Sequence, residues 1–190
     1  MLLNDTHQRT PDRRAFDAAA KEASLTQWLA HRGSALIGYS GGVDSSYLAC
    51  IALEALGGAH MLAVTGVSAS LSSEQRVQAR DFAAQWQLPW VEIETGELDD
   101  PRYVANPTNR CYFCKQELWS KLLPIARARG YAAVVDGTNA DDLADHRPGA
   151  RAAAEHGVLS PLAVAGFTKD EIRERSRARG LATWYQPSAP

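Results

Sequence analysis

The chain has 190 residues, 45% of them apolar, and a formal net charge of −2. That length allows one domain with a real core and part of a second. No apolar stretch approaches the roughly 20 residues that span a bilayer, the balanced charge gives no reason to expect a nucleic-acid partner, and an odd cysteine count, three, argues against a disulfide scaffold and fits a reducing cytoplasm.

Residues 1–14 are polar and mixed in charge, without the apolar segment of a signal peptide, and read as a mobile arm. Residues 13–31 read as an amphipathic helix, with Phe16, Ala20, Ala23 and Trp28 approximating one face. The run 35–38 reads as a buried strand and 47–53 as a helix. Residues 60–67 form a second apolar run, broken by Gly66. Ser72 to Gln75 has capping-box spacing and opens a helix with Ala79, Phe82, Ala83 and Trp86 at helical intervals. Residues 89–94 predict a third strand. Residues 111–129 predict a long helix, bent or interrupted at Pro124. A fourth strand is predicted at 131–135 and a short one around 158–159. Thr168 to Glu171 has capping-box spacing again. Strand and helix alternate, which implies an α/β fold with a parallel sheet and helices on both faces.

The most informative run is Tyr39-Ser40-Gly41-Gly42-Val43-Asp44-Ser45-Ser46, between the first strand and the helix after it. Glycines let backbone approach an anion closely. The helix start offers free N–H groups and the positive end of its dipole, and Ser40, Ser45 and Ser46 add hydroxyls. No lysine completes a Walker A loop, and the dinucleotide pattern Gly-x-Gly-x-x-Gly is absent. The bland alternative is a Gly-Gly turn capped by Asp44 or Ser45.

Ser40 to Ser45 resembles instead the PP-loop of the N-type ATP pyrophosphatases, which implies the adenine nucleotide alpha hydrolase-like fold. It also implies cleavage of ATP between the α and β phosphates. Asp44 is then the expected Mg²⁺ contact, since a hard cation prefers carboxylate oxygen. In parallel sheets the ligand lies beyond the carboxyl ends of the strands. The loop at Ser40, segment 65–70 and segment 136–145 all follow strands, so Thr65, Ser68, Gly137, Thr138 and Asn139 join Gly41, Gly42 and Val43 as candidate nucleotide contacts. Adenine is expected near Val64, Thr65, Gly66 and Ser68.

Three further segments narrow the family. They are Asn109-Arg110-Cys111-Tyr112-Phe113-Cys114-Lys115; Asp136-Gly137-Thr138-Asn139-Ala140-Asp141-Asp142 with Asp145-His146-Arg147-Pro148-Gly149; and Leu159-Ser160-Pro161-Leu162 followed by Thr168 to Arg173 and Gly180 to Pro187. In this order, behind the loop, they resemble LarE, the ATP-dependent sacrificial sulfur transferase. The resemblance covers about residues 36–190. It implies adenylation of a carboxylate of a pyridinium mononucleotide and displacement of AMP by a cysteine thiolate, in nickel-pincer nucleotide biosynthesis. The sulfur stays on the product and dehydroalanine remains on the protein. Thiolate is the strongest common side-chain nucleophile at neutral pH.

The resemblance also places the sacrificial cysteine just after the Trp184 segment. This chain stops at Pro190, so a truncated chain without a sulfur donor is expected. The expected organisation is an arm at 1–14, a PP-loop domain at 15–165 and the start of a sulfur-transfer region at 166–190. Some LarE-type proteins hold an iron–sulfur cluster on three cysteines, one of them the residue expected past Pro190, and the resemblance offers Cys111 and Cys114 as candidates for the other two. Packing of two thiols at a helix start is the equal alternative. Cys50 reads as a buried small side chain. Arg110 and Arg147 are candidate substrate contacts, each also readable as surface charge. For Asp141, Asp142 and Asp145 helix capping is the simpler reading. LarE proteins are oligomeric, which implies self-association. The competing functions are an amidating ligase, a tRNA-thiolating enzyme and an ATP- or AMP-binding module without turnover.

Overall fold

The computed structural model describes residues 13–69, 71–99, 101–105, 110–145 and 148–187. In chain order the elements are α1 (Arg13–Arg32), β1 (Ala35–Gly38), α2 (Val43–Leu56), β2 (Met61–Val67), α3 (Ser73–Gln85), β3 (Trp90–Glu94), α4 (Pro101–Ala105), α5 (Arg110–Ala128), β4 (Ala133–Val135), α6 (Ala140–Ala144), α7 (Pro148–Glu155), α8 (Pro161–Val164) and α9 (Lys169–Ala178). Short 3-10 turns occupy Glu97–Asp99 and Ala182–Tyr185. The expected arm lies almost wholly outside the described residues.

The four strands pair in parallel in the order β3-β2-β1-β4. Each strand sends alternate residues to opposite faces. Ala35, Ile37, Met61, Ala63, Ala133 and Val135 face a core built with α1, α2, α3 and α9. Leu36, Leu62, Val64 and Val134 face a second core built with α5 and α7, where Trp119 and Leu122 are buried. Helices therefore cover both faces, as the alternation of elements predicts.

Three expectations are corrected here. The buried face of α1 is Ala18, Glu22, Leu25 and Leu29, while Ala20 and Ala23 are exposed and Trp28 only partly buried. The side chain of Phe16 lies outside the described residues. A carboxylate in the middle of the inward stripe displaced the apparent face. Helix α5 runs without interruption through Pro124. Residues 158–159 form no strand of their own: Leu159 makes an isolated parallel bridge to Val135.

Glu22 is 8% exposed and joins three helices. Its Oε2 accepts from Tyr47 Oη at 2.6 Å, Arg175 Nε at 3.0 Å and Arg179 Nε at 3.0 Å. Its Oε1 accepts from the Nη2 groups of Arg175 and Arg179 at 2.8 and 2.7 Å. Burial works to raise the Glu22 pKa, but the bonds from Arg179, Arg175 and Tyr47 outweigh it and hold the carboxyl down at about 2. A buried charge is tolerated only when paired and hydrogen-bonded in this way. The network ties α9 to α1 and α2, and Phe167, Ile172 and Leu181 complete the contact as fully buried side chains of the same core.

Because the folded-state pKa of Glu22 is depressed from 4.5 to about 2, its stabilisation is complete above pH 4.5. It is lost as pH falls through about 2. We expect Glu22→Gln to cost roughly 3 kcal/mol at pH 7 and to flatten the acid limb of stability. Urea unfolding at a series of pH values checks both, and an unchanged acid limb would refute the assignment.

Candidate nucleotide site

The segment after β1 is anchored before it turns. Tyr39 N donates to Val64 O, its carbonyl accepts from Thr65 Oγ1 at 2.7 Å, and its hydroxyl donates to Ala79 O at 3.0 Å. The chain can then reverse only through Gly41, at φ +78°. A Cβ there would lie 2.7 Å from Ala79 Cβ on α3. Ser45 Oγ accepts from Ser40 N at 3.2 Å and donates to Gly42 O, closing the loop on itself. Gly42 is the N-cap of α2 and supplies no side-chain cap. The first-turn N–H groups of α2 therefore start with neither an intrahelical nor a capping partner.

From the other side, the turn after β4 lies against this helix start. A Cβ on Gly137 would sit 2.9 Å from Ser45 N and 3.1 Å from Ser45 Cα, so only glycine fits. Asp136 is 2% exposed. It accepts from Thr138 N, Thr138 Oγ1 and Ser160 Oγ at 3.1, 2.7 and 2.8 Å, and faces Lys115 Nζ at 3.4 Å. Thr138 and Asn139 are buried. Asn139 caps α6 in a capping box with Asp142, so the capping reading of Asp142 holds.

The electrostatic centre is Asp44, in the first turn of α2. Its Oδ2 pairs with Lys169 Nζ at the start of α9. Its Oδ1 is buried and has no partner. Burial raises the Asp44 pKa above its ordinary value, Lys169 opposes that, Asp142 adds to it and Arg173 again opposes it. A carboxylate oxygen without a partner is a ligand a hard divalent cation accepts together with phosphate oxygens and water, and the unpaired N–H groups beside it suit phosphate oxygens. Among the described residues no cluster of three or more His, Cys, Asp or Glu is placed to hold a metal by itself. A cation at Asp44 would thus take most of its ligands from a bound phosphate chain.

The other expected contacts divide. Ser40 is exposed at the loop, while Val43 and Ser45 are nearly buried. Ser46 is fully buried and its N–H donates to Gly42 O. Thr65 is 3% exposed, with its hydroxyl between Tyr39 O and Trp90 Nε1. Val64 is core, and a Cβ on Gly66 would meet Leu118 of α5 at 2.9 Å. Ser68 Oγ donates to buried Glu97, near which the Cys114 thiol lies. Burial first, and Glu97 second, push that thiol up to about 12. Cys111 is exposed and Cys50 buried. The Arg110 guanidinium lies over the Tyr103 ring at 5.6 Å, and Arg147 is outside the described residues. A cavity of about 500 Å³ lies between α3 and the β2–β3 edge, lined by Ser68, Arg76, Trp90 and Glu92 among others. No residue of the glycine loop lines it.

Lys169 is the site residue that sequence reasoning missed. The spacing of Thr168 and Glu171 reads as a helix cap, and it is one. The cation between them carries the contact to the loop, 125 residues away.

Comparison with known proteins gives concordant results. The model of the NAD synthase family matches residues 19–105. The uncharacterized protein slr1717 of Synechocystis sp. is 45% identical over 172 residues, 90% of this chain and 63% of that one. The pyridinium-3,5-bisthiocarboxylic acid mononucleotide synthase of Lactiplantibacillus plantarum is 31% identical over 166 residues, 87% of this chain and 60% of that one. The chain thus spans about three fifths of the curated relatives it matches. Among solved structures, an NMN synthetase of Francisella tularensis superposes with TM-score 0.68 at 17% identity, covering 91% of this chain and 75% of that one. A glutamine-dependent NAD+ synthetase of Acinetobacter baumannii, in complex with ADP, superposes with TM-score 0.69 at 16% identity, covering 88% and 33%. The fold is that of the PP-loop adenine nucleotide alpha hydrolases.

Gly41→Ala is expected to cost roughly 3 kcal/mol, from left-handed backbone strain and the collision with Ala79. Denaturant unfolding measures it, and a loss under about 1 kcal/mol would show that the loop adopts another path.

Proposed function

We propose that this chain, a PP-loop protein related to the LarE sulfur transferases, binds Mg-ATP at the Ser40–Ser45 loop and adenylates a carboxylate of a small pyridinium nucleotide. The observation that carries this reading is the buried, partnerless Asp44 Oδ1 beside an uncapped helix start, with Lys169 on the other oxygen.

The residues divide the work by charge. Gly41, Gly42 and the first turn of α2 offer N–H groups to the leaving pyrophosphate. Lys169, already poised on Asp44, has a second anionic partner once a phosphate chain enters. Asp44 would hold Mg²⁺, and bound Mg²⁺ supplies neutralisation of phosphate charge. A substrate carboxylate oxygen attacks the α-phosphorus, the bond to the bridging oxygen breaks, and pyrophosphate leaves. The acyl adenylate then has AMP as a good leaving group. A thiolate attacks the acyl carbon and AMP departs. The Cβ–S bond of the donor cysteine then breaks by loss of its α-proton, leaving thiocarboxylate and dehydroalanine. The donor is proposed to follow the Trp184 segment, which α9 holds in place. Arg173 donates to the carbonyls of Trp184 and Gln186 at 2.7 Å each, and Arg177 lies over the Trp184 ring. The same reading offers Cys111 and Cys114 as two of three ligands of an iron–sulfur cluster, the third being the cysteine proposed after the Trp184 segment; packing of the two thiols is the alternative. A soluble cytoplasmic setting and self-association are proposed with the same reading; among the described residues no helix is long and apolar enough to cross a membrane.

The match to the NAD synthase family model favours one second reading, amide formation from the same acyl adenylate with ammonia as nucleophile. The two readings share the first half-reaction and differ in the second.

With Mg-ATP and pyridinium-3,5-biscarboxylic acid mononucleotide, the chain is expected to release pyrophosphate in an acceptor-dependent burst. Turnover with added ammonium would select amide formation. Release independent of any acceptor, or none with it, would sink the adenylation reading. Asp44→Asn is expected to weaken Mg-ATP binding by about tenfold or more; an unchanged affinity in titration calorimetry would remove Asp44 from the cation site.

A further inference from the structure

Lys169 owes its place to groups outside the loop it serves. Its backbone N–H donates to Asp141 Oδ2 at 2.8 Å. Thr168, immediately before it, is the N-cap of α9. Thr168 N donates to Glu171 Oε2 at 2.9 Å and its hydroxyl accepts from Glu171 N. Glu171 therefore closes the first turn of the helix, and its carboxylate is gripped in turn from α1. Lys21 Nζ donates to both Glu171 oxygens at 2.7 Å each, and the same ammonium donates to Gly166 O at 2.7 Å.

One cation thus binds both sides of the turn that carries Lys169: the carbonyl where the chain enters and the carboxylate that caps it. An exposed ion pair would contribute little. This pair is half-buried, with the Lys21 and Glu171 side chains 29% and 18% exposed, and all three of its bonds are charge-assisted. Burial works to raise the Glu171 pKa, yet Lys21 and the Thr168 groups hold the carboxyl below its ordinary value. The next residue of α1, Glu22, holds the other end of α9 through Arg175 and Arg179. Adjacent residues of α1 therefore grip both ends of the helix that delivers Lys169.

We propose that Lys21 is a positioning residue of the nucleotide site, clamping Glu171 and the Gly166 carbonyl so that the first residue of α9 points its ammonium at the glycine loop. This rests on the reading of Asp44 and Lys169 as the groups that hold cation and phosphate. Lys21 itself touches neither, and it acts only through the placement of Lys169.

A double-mutant cycle tests it. Mg-ATP affinity is measured by calorimetry for the unaltered chain, K21M, K169M and the double variant, with thermal unfolding of each. We expect K21M to weaken binding roughly fivefold, K21R to restore most of it, and K21M to cost nothing further in the K169M background, since coupled residues are non-additive. An indifferent K21M, or an equal loss in both backgrounds, overturns the positioning role; in the second case Lys21 would serve only the general fold. Should K21M fail to fold, K21Q, which keeps a donor on a chain of nearly the same length, is read through the same cycle. Failure of the unaltered chain to bind Mg-ATP overturns the functional reading itself and this inference with it. Normal binding with an indifferent Lys21 variant overturns the inference alone.

Discussion

The close approach of the Gly137 backbone to the first turn of α2 is the constraint on which the site depends. It places the end of β4 within 2.9 Å of Ser45 N, measured from where a Cβ would stand. Gly41 makes the corresponding approach on the other side, against Ala79. Between these contacts the Ser45 hydroxyl ties the loop to the helix start, and no side chain caps the helix. The unsatisfied N–H groups are thus a consequence of the residue at the cap. They exist because the N-cap residue is Gly42, which has no side chain to offer them. Asp44, in this first turn, is half-buried, and burial is the first cause of its altered proton affinity.

A half-buried carboxylate needs a cation, and the chain provides one from α9. This couples the site to the buried ionic network, because the same helix is held by Glu22 through its arginines. Ion pairs of this kind are weak evidence for stability as such, since desolvation consumes most of the attraction. Their geometric content is larger. Bidentate guanidinium contacts fix the axial position and rotation of a helix, and a side chain at its first residue inherits that precision. The carbonyls of Trp184 and Gln186 are gripped by Arg173, so the backbone at 184–186 is set by the same helix.

The sequence was legible where interactions are local. The capping boxes at Ser72, Asn139 and Thr168 involve residues three apart, and two of them, at Ser72 and Thr168, appear as spacing before any fold is known. The strands of the sheet appear as short apolar runs between turns, and their parallel order follows from the helices between them. Reading failed where a residue type contradicts its environment. Glu22 is a carboxylate on an inward stripe, so the apolar face of α1 was drawn on exposed alanines. Thr65 and Asn139 look like ligand contacts at strand ends. In the structure the Thr65 hydroxyl bonds Tyr39 O and Trp90 Nε1, and Asn139 Oδ1 accepts from Asp142 N.

The amino-acid order by itself determined the glycine loop, its position between strand and helix, the alternation that makes the sheet parallel, and the motif series on which the resemblance to the LarE enzymes rests. Each of these is carried by neighbours in the chain, whose geometry depends on a few backbone angles. Only the tertiary structure decided which hydroxyls turn inward, that Lys169 meets Asp44, and that Lys21 and Glu22 hold the helix between. Those pairings join residues 125 to 157 positions apart. Coulombic and hydrogen-bond energy depends on distance in space, and that distance does not exist until the sheet has brought the two ends of the chain together.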